Sequence, residues 1–155
     1  MLKEDVKISG LIEIVLKDKD GKIKEIRTIK NTITKAAFAV LSGLAGNVDS
    51  QDAFTYLELG TGTTAATADD TALETAITDS GLERAAASVS RVTTTNTNDT
   101  LQLTKTWTAS GAKAVTEVGA FNAASSGSMF GRQVFDVVNV PIGDQFTVTY
   151  KFKFS

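Results

Sequence analysis

The ten residues before the terminal serine constrain the fold more than any other stretch of the chain. Phe146, Val148, Tyr150, Phe152 and Phe154 take every second position, and Thr147, Thr149, Lys151 and Lys153 fill the gaps. Successive side chains of an extended backbone point to opposite faces, so this pattern makes a strand with one apolar and one wet face. Strands of that kind belong to antiparallel sheets with one face packed on a core. The start of the chain repeats the pattern. Val6, Ile8, Ile12, Ile14 and Leu16 share a face, with Lys7, Ser9, Glu13 and Lys17 on the other. Asp18-Lys19-Asp20-Gly21 supplies a turn, with Gly21 in the left-handed conformation. A second strand is expected over about residues 22–29. Its Ile23, Ile26 and Ile29 are spaced by three, which predicts a bulge or irregular pairing.

Between these ends the pattern changes once with conviction. Ile33, Ala37, Val40, Leu41 and Leu44 recur at helical spacing, so a helix is predicted over residues 33–44, capped by Thr32 or Thr34 and ended by Gly43 and Gly46. Phe54–Leu59 reads as a short strand and 60–67 as a small-residue loop. Thr67-Ala68-Asp69-Asp70 offers a cap and acids for a short second helix, about 69–78. Further strands are expected over 82–95, 100–108, 115–121 and 129–140, separated by turn-rich segments. These elements predict a mainly β protein: an antiparallel sandwich or barrel with one packed helix, a short second helix and an N-terminal hairpin. No composition break divides residues 1–155, so one domain is expected, with residues 1–30 a hairpin or arm able to reach a neighbouring subunit.

Composition removes much chemistry. The chain has no cysteine and no histidine, which excludes disulfides, thiolate metal sites, Ser–His–Asp triads and ordinary zinc catalysis. No apolar run approaches the roughly 18 residues of a membrane span, and the mixed charges of residues 1–5 do not make a secretory signal. Synthesis in the cytoplasm and no membrane partner are therefore expected. The first 35 residues hold nine of the 16 basic side chains. Between Ala36 and Glu83 there is no Lys or Arg but eight acids, which argues against a nucleic-acid groove there. The early lysines Lys17, Lys19, Lys22 and Lys24 are expected to solvate a hairpin and guard a sheet edge.

Three motifs were weighed against plain structural roles. Gly60-Thr61-Gly62-Thr63-Thr64-Ala65 satisfies the spacing of a dinucleotide-binding turn, and Glu83 lies where a ribose-binding acid would be. Asp69 and Asp70 would repel a pyrophosphate at the following helix start, and no parallel-type apolar strand follows, so a structural loop is expected. Asp18 and Asp20 lack the glycine and closing glutamate of a calcium loop. Glu58 and Glu117 are the strand-borne carboxylates that could serve hydrolysis, yet nothing in the sequence brings them together, so each is expected to face solvent or an interface. No catalytic residue, cofactor ligand or metal ligand is assigned, and the expectation is a non-enzymatic protein.

Several segments carry a resemblance. Thr55-Tyr56-Leu57-Glu58-Leu59-Gly60-Thr61-Gly62-Thr63-Thr64, followed by Asp70-Thr71-Ala72-Leu73-Glu74, resembles a pattern in small structural proteins of tailed bacteriophages. So do the run from Thr116 to Gly127, Met129-Phe130-Gly131-Arg132-Gln133-Val134-Phe135, Gly143–Tyr150, and Asn31-Thr32-Ile33-Thr34 ahead of the helix. The resemblance implies a β-sandwich virion component, above all a capsid decoration (cement) subunit stabilising the head shell through protein contacts. A tail tube, collar or fibre-attachment subunit is the alternative it leaves open, and a carbohydrate-binding β-sandwich is the rival from another class. It implies partners too: further copies of itself, with trimers favoured, and the major capsid protein or tail proteins. The family brings no catalytic residues, and Gly60, Gly62 and Gly119 are the positions whose backbone is expected to require glycine.

Overall fold

A computed structural model describes residues 5–155 and contains nine strands and one helix. The strands are β1 (Ile8–Lys17), β2 (Ile23–Ile33), β3 (Tyr56–Gly60), β4 (Ala85–Ala86), β5 (Ser88–Val92), β6 (Thr100–Thr108), β7 (Lys113–Phe121), β8 (Met129–Val140) and β9 (Gln145–Phe154). The helix is α1 (Lys35–Gly46). All pairings between them are antiparallel, in the order β4-β3-β7-β8-β2-β1-β9-β6-β5. The sheet folds over on itself into a nearly closed sandwich. At one corner the chain steps from the last strand of one side, β4, to the last of the other, β5, through Ala87, whose N–H bonds the carbonyl of Thr55. At the other corner β2 meets β8.

The period-two segments behave as expected. Phe146, Val148, Tyr150 and Phe152 of β9 and Ile12, Ile14 and Leu16 of β1 are buried, facing Leu103 and Trp107 of β6. β1 lies between β2 and β9 and pairs with β9 along its whole length, so residues 8–33 are part of the sandwich wall. Gly21 has the positive φ its turn needs, and Asp18 Oδ1 accepts the N–H groups of Asp20 and Lys22. That closes a side-chain turn, the role preferred over a calcium loop. The expected irregularity of the hairpin is a register shift at Leu16/Lys17.

The helix starts two residues later than the periodicity predicts. Ile33 still belongs to β2, and Thr34 is the cap, its hydroxyl accepting the Ala37 N–H at 3.2 Å. The helix runs through Gly43 and Gly46 and ends at Asn47, in the left-handed conformation, whose N–H returns to the last turn. Ala37 and Val40 drive into the core beside Phe54, Phe130 and Phe152, where the Phe130 and Phe152 rings stack at 3.8 Å between centroids.

The predicted second helix, about 69–78, does not form. Residues 61–84 cross the outer face of β3, β7 and β8 as an irregular loop, with a single bridge from Ala76 to Gly60. Its N–H groups are met within the loop, by the sheet and by carboxylates: Thr61 bonds the Thr75 carbonyl, Ile77 the Leu59 carbonyl of β3, and Thr75 the Glu117 carboxylate. Leu73 buries against Phe121 and Met129 in a second, small core, while Ile77 and Leu82 reach the main one. Long-range partners satisfy this backbone better than a short helix with frayed ends would. The strand expected over 82–95 is likewise split, into β4 and β5.

Truncating Phe152 to alanine should cost about 3–5 kcal/mol of unfolding free energy, while Val137→Ala on the half-open surface should cost under about 0.5 kcal/mol. Urea titration of the two variants checks the contrast.

Candidate functional site

The side chains that could do chemistry converge where the 61–84 loop meets the sheet. Glu117 of β7 and Arg132 of β8 project from the same face, Glu117 fully buried and Arg132 3% exposed. Arg132 Nε donates to Glu117 Oε2 at 2.8 Å, Nη1 to Asp70 Oδ2 at 2.8 Å and Nη2 to the Thr64 carbonyl at 3.0 Å. Glu117 is saturated from the other side. Its Oε1 accepts from the N–H of Gly62 (2.9 Å) and Thr75 (2.8 Å), and its Oε2 from the N–H of Glu74 (3.1 Å). Glu74 in turn takes the N–H groups of Thr63 and Thr64, each at 2.7 Å, and the Thr64 hydroxyl at 2.8 Å. A charge this deep is tolerable only when paired and hydrogen-bonded throughout, which this one is.

The glycines of the loop follow from that geometry. A Cβ on Gly60 or Gly62 would sit 2.5 Å from Glu117 Oε1, and one on Gly119 would sit 2.9 Å from Leu73 Cδ2. None of the three has a positive φ; those among the described glycines are Gly21, Gly81, Gly127 and Gly143. The expectation that backbone conformation dictates Gly60, Gly62 and Gly119 is thus corrected: the demand is for room. The N–H groups of Gly62, Thr63 and Thr64, which a nucleotide-binding turn would offer to phosphate, are turned onto the protein's own carboxylates. Glu83, the counterpart of a ribose-binding acid, accepts the Gly81 N–H, and its carbonyl receives Trp107 Nε1.

Glu58 is the second sequence candidate, and it is fastened in the same way. Arg84 Nε and Nη2 form a two-point pair with its carboxylate at 3.0 and 2.9 Å. Arg84 Nη1 bonds the carbonyls of Ala123 and Ser126, and the guanidinium carbon lies 3.8 Å from the Phe121 ring centre. Glu58 is 7% exposed, so neither carboxylate is solvent-facing as expected. Both lie on one face, because Glu58 opposes Gly119 and Gly60 opposes Glu117, yet each is closed by its own arginine. Sequence reasoning missed both arginines. The available signal was scarcity: Arg132 is the sole base between Lys113 and Lys151 and sits in an apolar run, and Arg84 is the first base after Lys35.

Electrostatics of the cluster favour the charged forms. Burial pushes the Asp70 carboxyl up, but the Thr67 N–H, Arg132 and the Thr67 hydroxyl outweigh it and leave it below the ordinary range. The Thr64 N–H and hydroxyl hold Glu74 below its ordinary value, with burial acting the other way and Thr63 and Arg132 adding to the lowering. Burial pulls the Arg132 guanidinium down, and its bonds to Asp70 and Glu117 more than restore it. Elsewhere, Asp99 is held far below the ordinary range by the Asn96 N–H first, then those of Thr95 and Thr94, against the opposing effect of burial. Tyr150, buried with only the Asn31 amide for a partner, is pushed well up by desolvation.

Such an arrangement fastens: Glu58, Asp70, Glu74 and Glu117 are each hydrogen-bonded within the fold. Among the described residues no three His, Cys, Asp or Glu side chains gather as a metal-holding group, and no helix is long and apolar enough to cross a membrane. No protein-family model, curated protein or solved structure matches the chain.

Two outcomes follow from the fastening. Gly62→Ala forces a methyl against Glu117 and should lower stability by about 1–3 kcal/mol, read by chemical denaturation. The acid response has a definite sign. Asp70, Glu74 and Asp99 have folded values below their unfolded ones, so their contribution is whole above about pH 4–5 and is lost as pH falls through the folded values. Stability should be level from pH 7 to about 5 and fall below about 4, with a shallower acid limb in Asp70→Asn.

Proposed function

We propose that this protein is a non-enzymatic structural subunit of a tailed-bacteriophage particle, placed on the head as a decoration subunit that binds and stabilises the shell. One observation carries the reading. Four of the six segments that resemble phage structural proteins, 55–64, 70–74, 116–127 and 129–135, build one three-dimensional unit of β3, β7, β8, the turn after β7 and the loop fastened over them by Glu117 and Arg132, while 31–34 and 143–150 lie on the other strands. Most of a resemblance spread over separate stretches therefore falls on a single fastening. The nominated carboxylates Glu58 and Glu117 are consumed by Arg84 and Arg132 respectively, which favours a scaffold over a catalyst.

The surface supports assembly as well. Ile23, Ile26, Phe38, Val137 and Ile142 are large apolar side chains left 45–68% exposed. Phe38 is the one aromatic among the large apolar residues left exposed in the described chain, so a carbohydrate-binding row of aromatics receives no support here. A shell presenting many equivalent sites gains stability by mass action from every subunit bound.

Quantitative mass spectrometry of purified particles should find the chain in many copies, and gold-labelled antibody should decorate the head. Particles lacking it should release DNA at lower temperature and resist osmotic shock less well. Label confined to the tail would move the subunit there, and absence from washed particles would overturn the reading.

A further inference from the structure

The corner where β2 meets β8 is mostly open. Among the described residues the two strands pair only at Thr32↔Arg132 and Ile33↔Gly131, yet β2 runs back to Ile23 and β8 on to Val140. Residues 23–31 and 133–140 thus present two strand edges with no strand between them. They flank a cleft of about 350 Å³ lined by Arg27, Ile29, Val134, Phe135 and Asp136. Such edges normally seed pairing with another chain unless something blunts them. Here the blunting groups are side chains that can swing away. Arg27 reaches across the seam to the carbonyls of Asp136 and Val137 while its Nε donates to Glu25, and Lys24 pairs with Asp144 at 2.6 Å.

The rims of the seam are apolar. Ile23 (51% exposed) and Ile26 (57%) stand on the β2 side, with Val137 (45%) and Ile142 (68%) on the other; they are four of the ten large hydrophobic side chains left exposed among the described residues. Around the seam the four bases Lys22, Lys24, Arg27 and Lys30 stand against the three acids Glu25, Asp136 and Asp144, with Arg27 paired to Glu25 and Lys24 to Asp144, which leaves a small positive excess.

We propose that this seam is the docking site for an extended, acidic strand of a partner protein, which adds to the β2 and β8 edges by backbone pairing. The partner's main chain takes the edge N–H and carbonyl groups and displaces Arg27 from Asp136 and Val137. Its alternate apolar side chains cover Ile26 and Val137, and its carboxylates receive the released Arg27 and neighbouring lysines. The proposal deepens the assembly reading above and rests on it for the kind of partner.

The probe is the capped peptide Glu-Val-Thr-Val-Glu-Val-Thr-Val-Glu, tested on the full chain by amide hydrogen exchange. At about ten times its dissociation constant, protection of amides in 23–30 and 133–140 should rise about tenfold. A peptide with proline at its centre, or with lysine for each glutamate, should leave exchange unchanged. The variant I26S/V137S removes the apolar contacts from exposed side chains without adding charge, should keep the native thermal transition, and should bind at least about tenfold more weakly. No protection at the seam up to millimolar peptide, or protection indifferent to the proline, overturns the proposal. Seam protection rising with protein concentration alone overturns the choice of a foreign strand in favour of a second copy. If the chain is a virion component but the peptide does not bind, the seam proposal falls alone; if the peptide binds while particles lack the chain, the virion reading falls alone.

Discussion

The buried pair of Glu117 and Arg132 is the constraint around which half of the molecule is arranged. Each side chain leaves a different strand of the same face, and each reaches loop residues far away in sequence: Arg132 to Thr64 and Asp70, Glu117 to Gly62, Glu74 and Thr75. Removing either partner would strand a charge in a site with almost no water, which typically costs far more than the pair itself contributes. The loop's own requirements follow. Gly60 and Gly62 must be glycine because the carboxylate occupies the space a side chain would need. Glu74 holds the turn of the loop by accepting the N–H groups of Thr63 and Thr64. The outer face of β3, β7 and β8 is thereby covered without a helix.

The other half of the sandwich is held by apolar packing. β1, β9 and β6 line the interior with Ile12, Ile14, Phe146, Val148, Tyr150 and Leu103, and the outward face of β9 is threonine and lysine. This half was legible in the sequence, because a residue's side of the sheet is fixed by counting in twos. The hairpin turn at Gly21 and the Thr34 cap were legible for the same kind of reason, since both are local rules.

The loop was not legible, and the reason is physical. Asp69, Asp70 and Glu74 are what a helix start would carry, and they are equally what a non-helical loop needs to bond its own N–H groups and a distant arginine. Local composition cannot separate these uses, because the deciding partners, Glu117 and Arg132, lie 40 to 60 residues away. The candidate site suffered in the same way. Glu58 and Glu117 were correctly singled out as strand carboxylates, but their burial depended on Arg84 and Arg132, and strand alternation says nothing about which arginine meets which glutamate. The tertiary pairing decides it, and a loop whose apolar residues Leu73, Ile77 and Leu82 follow no period hides the cover they provide.

Native-state hydrogen exchange on Glu117→Gln tests the central claim most directly, because it reports the loop and the sheet separately. If the carboxylate fastens the loop, the amides of Gly62, Thr64 and Thr75 should lose far more protection than those of β1, β6 and β9. Equal loss throughout the chain, or no loss in the loop, would contradict it.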